Sequence, residues 1–349
     1  MPLTIVTSTR LDPYWNLAVE NHLLQHSAPD QMTLYLWRNQ RTVVVGRNQN
    51  PYAECRVDLL RADGGYLLRR TTGGGAVFHD GGNLNFSFIV PVDLYDQPRQ
   101  FSVIQRAVDS YGLHTQRSGR NDLLVACPAP QPSNSQFSIL KSQFPENSQF
   151  SILNSQVKKF SGNAFAKGRT HYLHHGTLLI DGNMENLQRY LMPSKAKMAK
   201  HGVSSVQSRV VNLSALAHVT VENIQPRLIA ACEAVYGSRG TVVDFDTLCA
   251  DPRVRALHDR YCSDAWLTDG WQDFVTTASG HFDWGDVSLS LQVREGRVEQ
   301  VRIATDALDV DAVDRLQQLL LRATLDQRPH LPADLNQPMA TDLLSLIYE

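Results

Sequence analysis

The densest run of chemically capable residues is RRTTGGGAVFHD, residues 69–80. Gly73, Gly74 and Gly75 open backbone angles closed to other residues and leave successive N–H groups uncovered by side chains. Amides exposed in this way form a concave nest for an anion. Arg69 and Arg70, directly before them, add planar guanidinium forks that match phosphate or carboxylate. No GK[ST] follows, so the segment is not a P-loop, and it contains no GxGxxG fingerprint. On these residues alone, a glycine-rich hairpin flanked by surface arginines is the competing reading.

Three smaller clusters follow. In KKFSGNA, residues 158–164, Lys159 stands before an expected Ser-Gly turn and could bring a point charge to a polyphosphate. A solvated surface lysine is the plainer reading. In SGRND, residues 118–122, Asp122 could take a magnesium ion together with phosphates, or simply close an Asx turn. His174 and His175 lead into an expected strand, where adjacent side chains point to opposite faces. They are therefore poorly placed to share one metal, and packing or a hydrogen bond is expected of them.

These groups need a scaffold, and the chain is long enough to supply one. Its 349 residues allow one large domain and a smaller one. With 42% hydrophobic and 19% charged residues the composition is that of a globular protein. Lys and Arg number 33 against 35 Asp and Glu, which favours neither nucleic acid nor an anionic membrane. No apolar run approaches the roughly 20 residues that cross a bilayer, and the first residues carry no signal-peptide stretch. The five cysteines (Cys55, Cys127, Cys232, Cys249, Cys262) form no CxxC pair. Reduced thiols in a cytoplasmic protein are the simplest expectation.

Asp12-Pro13 predicts a helix start, with the helix running to about His26. Strands are expected at 33–37, 42–45, 66–68, 84–90, 123–126 and 177–180, from their β-branched and aromatic content. Helical spacing predicts helices over 101–111 and 222–236, each stopped by glycine. The pattern weakens over 245–275, where the domain boundary is expected. Beyond it, 287–293 and 298–303 read as a hairpin turning at Glu295-Gly296, with helices over 310–325 and 341–348 to pack on it. NSQFSIL occurs twice, at 134–140 and 147–153, among several prolines. The stretch 128–156 reads as a mobile low-complexity insertion.

Taken in order, RRTTGGGAVFHD, GRND, KKFSGNAF, HHGTLL and GVSSVQSRVVNL resemble the lipoate-protein ligase A family of the biotin/lipoate ligase superfamily. DPYWNLAVEN and LWRNQRTVVVGRNQNP fit the same pattern, and the resemblance covers nearly the whole chain apart from the insertion. It implies an α+β fold: a mixed β-sheet with flanking helices, residues 1–250, and a small C-terminal α+β domain, residues 270–349. It implies an enzyme that activates lipoate with ATP and magnesium to lipoyl-AMP, then transfers the lipoyl group to a lysine. The acceptors implied are lipoyl domains of 2-oxoacid dehydrogenase E2 subunits and the glycine-cleavage H protein. A monomer is the default expectation, since no exposed apolar stripe in the sequence demands a partner.

Residue by residue, Arg70, Gly75, Ala76, Val77 and Phe78 match positions that hold ATP and the adenylate. Lys159 matches the lysine that contacts both the carboxylate and the α-phosphate. Asn121 and Asp122 match the motif near phosphates and magnesium. Glu20, Trp37, Gly74 and His175, with Arg70 and Lys159, fall in segments that hold lipoate. Residues 195–212 resemble a loop that closes over the adenylate. Thr71 and Thr72 stand where the family often has serine, which keeps the hydroxyls. Related folds transfer octanoyl or lipoyl groups through a cysteine thioester. Here the corresponding loop reads Gly202-Val203-Ser204-Ser205, which leaves Cys127 as the residual thioester candidate. A biotin ligase and a non-catalytic lipoate carrier compete with the ligase reading.

Overall fold

Asp12 accepts from the backbone N–H groups of Tyr14 and Trp15, so α1 (Pro13–His26) starts where a capping carboxylate and a proline at the first turn meet. The computed structural model describes residues 1–118, 121–127, 156–192, 210–268, 271, 277–294, 297–321, 323–325 and 327–348. The 128–156 insertion up to residue 155, residues 195–209 of the expected closing loop, Gly119-Arg120 and the Glu295-Gly296 turn lie outside them.

Around α1 the chain runs β1 (Leu3–Thr7), β2 (Met32–Trp37), β3 (Thr42–Val45), α2 (Pro51–Glu54), α3 (Val57–Ala62), β4 (Tyr66–Arg69), β5 (Val77–His79) and β6 (Asn83–Pro91). It continues through α4 (Gln97–Asp109), β7 (Thr115–Arg117), β8 (Asp122–Cys127), β9 (Gln156–Lys167), β10 (His171–Leu179), α5 (Met184–Tyr190), α6 (Val221–Tyr236) and β11 (Gly240–Val243). Then come α7 (Phe245–Ala250), α8 (Pro252–Cys262), α9 (Asp264–Leu267), β12 (Ala278–Phe282), β13 (Gly285–Arg294), β14 (Arg297–Thr305), α10 (Val310–Leu320) and α11 (Gln337–Ser345).

Eight strands form the main sheet in the order β11-β1-β2-β6-β10-β9-β8-β7. β1 is parallel to β11 and β2, and the remaining neighbours are antiparallel, so the sheet is mixed. A small sheet, β4-β3-β5, and a meander, β12-β13-β14, complete the framework.

Strand alternation sorts the side chains. Leu84, Phe86, Phe88 and Val90 of β6 face the core under α4 and α6, together with Leu34, Phe160 and Leu178. On the other face Tyr35, Ile89 and Leu173 pack beneath α1, α7 and α8. The meander with α10 and α11 has an apolar core of its own, including Leu289, Ile303, Leu316 and Leu343.

Two sequence expectations need correction. Ser161 and Gly162 do not turn: they lie inside the continuous strand β9, where Ser161 pairs with Leu123 and Gly162 with Asp122. Where the sequence pattern weakens, over 245–275, the described residues carry α7, α8 and α9, each capped by the side chain of Asp244, Asp251 or Ser263. The first C-terminal helix ends at Leu320, and the second spans Gln337–Ser345 rather than 341–348.

Candidate active site

The glycine-rich loop hangs between β4 and β5, both paired to β3. Gly74 sits at φ +94, a left-handed angle that favours glycine. Arg70 organises this loop from within. Its Nη2 donates to the carbonyls of Gly73 and Gly75 (2.7 and 2.9 Å), its Nη1 to Val44 O, and its Nε to Thr72 Oγ1 at 3.1 Å. Burial draws its pKa down to about 10, and Glu20 acts against that shift. Arg69 does a different job: fully buried, it donates to the carbonyls of Gly46, Arg47, Gln49, Trp266 and Leu267. It is a structural staple between β3 and the α9 segment.

Below the loop, β6 and β10 present polar residues on the face that carries Ile89 and Leu173. Thr72 Oγ1 lies 2.9 Å from His175 Nε2, and His175 Nδ1 lies 2.8 Å from Glu20 Oε1. Ser87 Oγ donates to Glu20 Oε1 at 2.5 Å and accepts from Trp37 Nε1 at 2.9 Å. Arg70 Nε donates to Thr72 Oγ1, and the Glu20 carboxylate accepts from His175 Nδ1. Glu20, Trp37, Arg70, Thr72 and His175 thus form one buried chain of hydrogen bonds. His79, at the end of β5, is held neutral: burial, Arg70 and His175 push its pKa down to about 3. Glu20 Oε2, His79 Nε2 and Asn85 Nδ2 are buried without a hydrogen-bond partner among the described residues. In this half of the site they stand as unmatched polar atoms.

The second half lies on the same face, at β8 and β9. Between Leu123 and Leu124 the register slips: Leu123 faces Ser161, but Leu124 faces Lys159, so β9 carries one extra residue. Such a bulge re-aims the side chains beyond it. Phe160 and Ser161 both turn inward and are about 1% exposed. Lys159 is thereby sent to the other face, where its Nζ meets Asp122 Oδ1 at 2.7 Å. It crosses Gly162, where a Cβ would stand only 3.1 Å from Nζ. Val211 N–H donates to Lys159 O, tying down the chain that follows the loop. Asn121 is not aimed outward for a ligand; its Nδ2 donates to Asn163 O at 2.6 Å.

Gly75 borders open space: a Cβ there would meet nothing within 4 Å. Val77 and Phe78 lie in β5, and Phe78 packs on Tyr190 with ring centroids 5.5 Å apart. The Gly74 N–H is occupied by Ala307 O at 3.2 Å, and Thr305 N–H donates to Asn48 O. The C-terminal unit therefore rests on the glycine loop. Among the described residues no group of three or more His, Cys, Asp or Glu could hold a metal. Asp122 supplies one carboxylate, which suffices for magnesium that arrives with phosphates. A surface cavity of about 450 Å³, which includes Arg38, Asp181, His218 and Glu222, touches none of these residues.

Sequence reading missed Ser87, His79 and Asn163, and Ala307 as the residue that covers the loop. The alternation N-L-N-F-S-F from Asn83 to Phe88 is a legible signal for the first, since it places polar groups on a buried face.

The glycine-rich loop, through Thr72, and the Lys159–Asp122 pair thus share the His175 face of the mixed sheet. Residues 12–233 match the lipoyl protein ligase A/B catalytic domain, and 272–328 match the bacterial lipoate protein ligase C-terminus. The chain belongs to the lipoyl protein ligase A/B catalytic domain family. Lipoate-protein ligase A of Psychrobacter cryohalolentis is 34% identical over 335 residues, covering 94% of this chain and 90% of that protein. P. falciparum LipL1, solved in complex with lipoate, superposes with a TM-score of 0.76 at 24% identity, covering 98% of each chain. A lipoate-protein ligase A solved with ATP gives a TM-score of 0.55 at 22% identity, over 76% of this chain and 98% of that one. At those identities the two structures bear on the fold alone.

Proposed function

We propose that the chain is an ATP-dependent lipoate-protein ligase that makes lipoyl-AMP and passes the lipoyl group to a lysine of a lipoyl-accepting domain. The observation that carries this reading is the Lys159–Asp122 pair, put by the bulge on the same sheet face as His175, which meets Thr72 of the glycine-rich segment. The carboxylate of lipoate attacks the α-phosphate in line and pyrophosphate leaves. Lys159 holds the carboxylate and the developing phosphate charge, and loop amides beyond Gly75 hold the nucleotide. Arg70 contributes by fixing the loop's shape and placing positive charge behind it. Magnesium, arriving with ATP, would be held through Asp122 and would neutralise phosphate charge.

In the second step the acceptor amine attacks the mixed anhydride and AMP departs, so no nucleophile of the enzyme is needed. The acceptor lysine must first lose its proton, at a cost of about 4.6 kcal/mol at pH 7 for a pKa near 10.4. Glu20, Trp37 and His175 form the polar wall beside the acyl chain. The acceptors are E2 lipoyl domains or a glycine-cleavage H protein, met by a monomeric enzyme in the cytoplasm.

The thioester route has little support. Cys127 is buried, and burial raises its thiol pKa, with nearby Lys158 opposing, so it is held away from the reactive thiolate. The test is intact-protein mass spectrometry of a purified E2 lipoyl domain incubated with enzyme, MgATP and lipoate. The reading predicts one added lipoyl group on the acceptor that requires ATP. An acyl group found on Cys127, or acceptor modification that needs no ATP, would overturn it.

A further inference from the structure

His174 is adjacent to His175 but points to the opposite face of β10, away from the proposed substrates. It is fully buried among aromatic rings, with centroids of Phe165 and Phe101 at 4.6 and 4.8 Å. Both ring nitrogens are engaged all the same: Nε2 lies 2.9 Å from Asn163 Oδ1, and Nδ1 lies 2.7 Å from the Gln100 side-chain amide. Burial lowers the pKa of His174 well below the usual histidine value, so the ring is neutral and donates from one nitrogen only.

Which nitrogen donates follows from Asn163. Its Nδ2 gives hydrogen bonds to Asn121 O at 2.8 Å and to Ser161 Oγ at 3.3 Å, which fixes Oδ1 as the atom facing His174. His174 therefore donates from Nε2, and its Nδ1 accepts. A half-turn of the Gln100 amide offers that Nδ1 the NH2 group, which is otherwise buried without a partner.

Asn163 in turn clamps Asn121: each side-chain amide donates to the other's backbone carbonyl, at 2.6 and 2.8 Å. Asn121 immediately precedes Asp122, and Asn163 lies four residues beyond Lys159, on the other side of the bulge. The clamp thus sets the register at the point where the bulge has loosened it. Gly176 is part of the arrangement, because a Cβ there would meet Asn163 Oδ1 at 2.5 Å and Phe86 Cζ at 2.6 Å.

We infer that His174 is a positioning residue: through Asn163 and Asn121 it holds Asp122 and Lys159 in register from the far face of the sheet. The inference rests on the ligase reading for its activity readout and on geometry for the rest. Misplacing a reacting group by about 1 Å costs on the order of a hundredfold in rate.

The experiment compares His174→Phe, which fills the aromatic cage but cannot donate, with His174→Gln, which keeps a donor. Asn163→Ala and the His174→Phe/Asn163→Ala double variant complete the set. The expected result is that His174→Phe lowers kcat of lipoate-dependent ATP–pyrophosphate exchange by about tenfold to a hundredfold. The KM for lipoate stays unchanged, His174→Gln recovers much of the loss, and the double variant is no worse than its worse single. Additive losses, equal damage from Gln and Phe, or a fall in melting temperature with kcat intact would overturn it. If the wild type exchanges with no acid, the ligase reading falls separately. The positioning claim is then decided by crystal structures: a Lys159–Asp122 pair unmoved in His174→Phe refutes it.

Discussion

Replacing Lys159 with alanine separates what this residue does for the fold from what it does for the chemistry. Its side chain and that of Asp122 are 36% and 28% exposed, so water screens the 2.7 Å ion pair. Pairs of that kind contribute about 0–1 kcal/mol to stability. The melting temperature should therefore fall by no more than about 2–4 °C. The loss of an oriented cation facing the developing phosphate charge is far larger, about 3–4 kcal/mol, or on the order of a hundredfold to a thousandfold in rate. Calorimetric melting and pyrophosphate exchange on the same preparation give both numbers. A folded Lys159→Ala protein that keeps a tenth or more of wild-type exchange would refute the placement of Lys159 at the reacting centre. A large drop in melting temperature would refute the claim that its role is chemical and not structural.

Gly73→Ala should displace the C-terminal unit, because the new Cβ would lie 2.1 Å from Ala307 O and 2.8 Å from Leu308 Cα. Limited proteolysis should then cut faster between the catalytic and C-terminal units, and unchanged proteolysis would show that the contact is dispensable. Acid should destabilise the protein partly through His79. Its folded pKa of about 3 lies below the unfolded value of 6.5, so its contribution is complete above pH 6.5 and is lost as pH falls towards 3. Between pH 7 and 5 that amounts to about 2 kcal/mol, which His79→Gln should remove from the pH dependence of urea unfolding. An unaltered pH slope in that variant would show that His79 is not buried neutral. Cys127→Ser should leave exchange and transfer at wild-type levels, and loss of transfer alone would revive the thioester route.

Local signals in the sequence are strongest where capping and alternation coincide. Asp12-Pro13 marks the start of α1, and the expected 42–45 strand is β3 to the residue. The α6 start lies within one residue of expectation, fixed by the Thr220–Asn223 capping box, and Gly237 ends the helix at φ +63. What stays hidden depends on pairing across the sheet. Ser161-Gly162 carries turn residues, yet β8 and β10 on either side hold them extended, overriding local preference. The bulge that aims Lys159 cannot be read from one strand alone, since it is defined by the partner's register. The α7–α9 helices are short, and the buried residues of α7 and α8 join the core beneath α1, which dilutes their periodicity. At the site the glycine loop and Lys159 stand out by residue type. Thr72, Ser87, Asn163 and His79 do not, because each acts through a partner at least 11 residues away.

The most direct test of the central claim is ATP–pyrophosphate exchange on the purified protein with magnesium, comparing lipoate, octanoate and biotin. Exchange that depends on lipoate and not on biotin is the predicted result. Absence of exchange with every acid, from protein shown to be folded, would contradict the account.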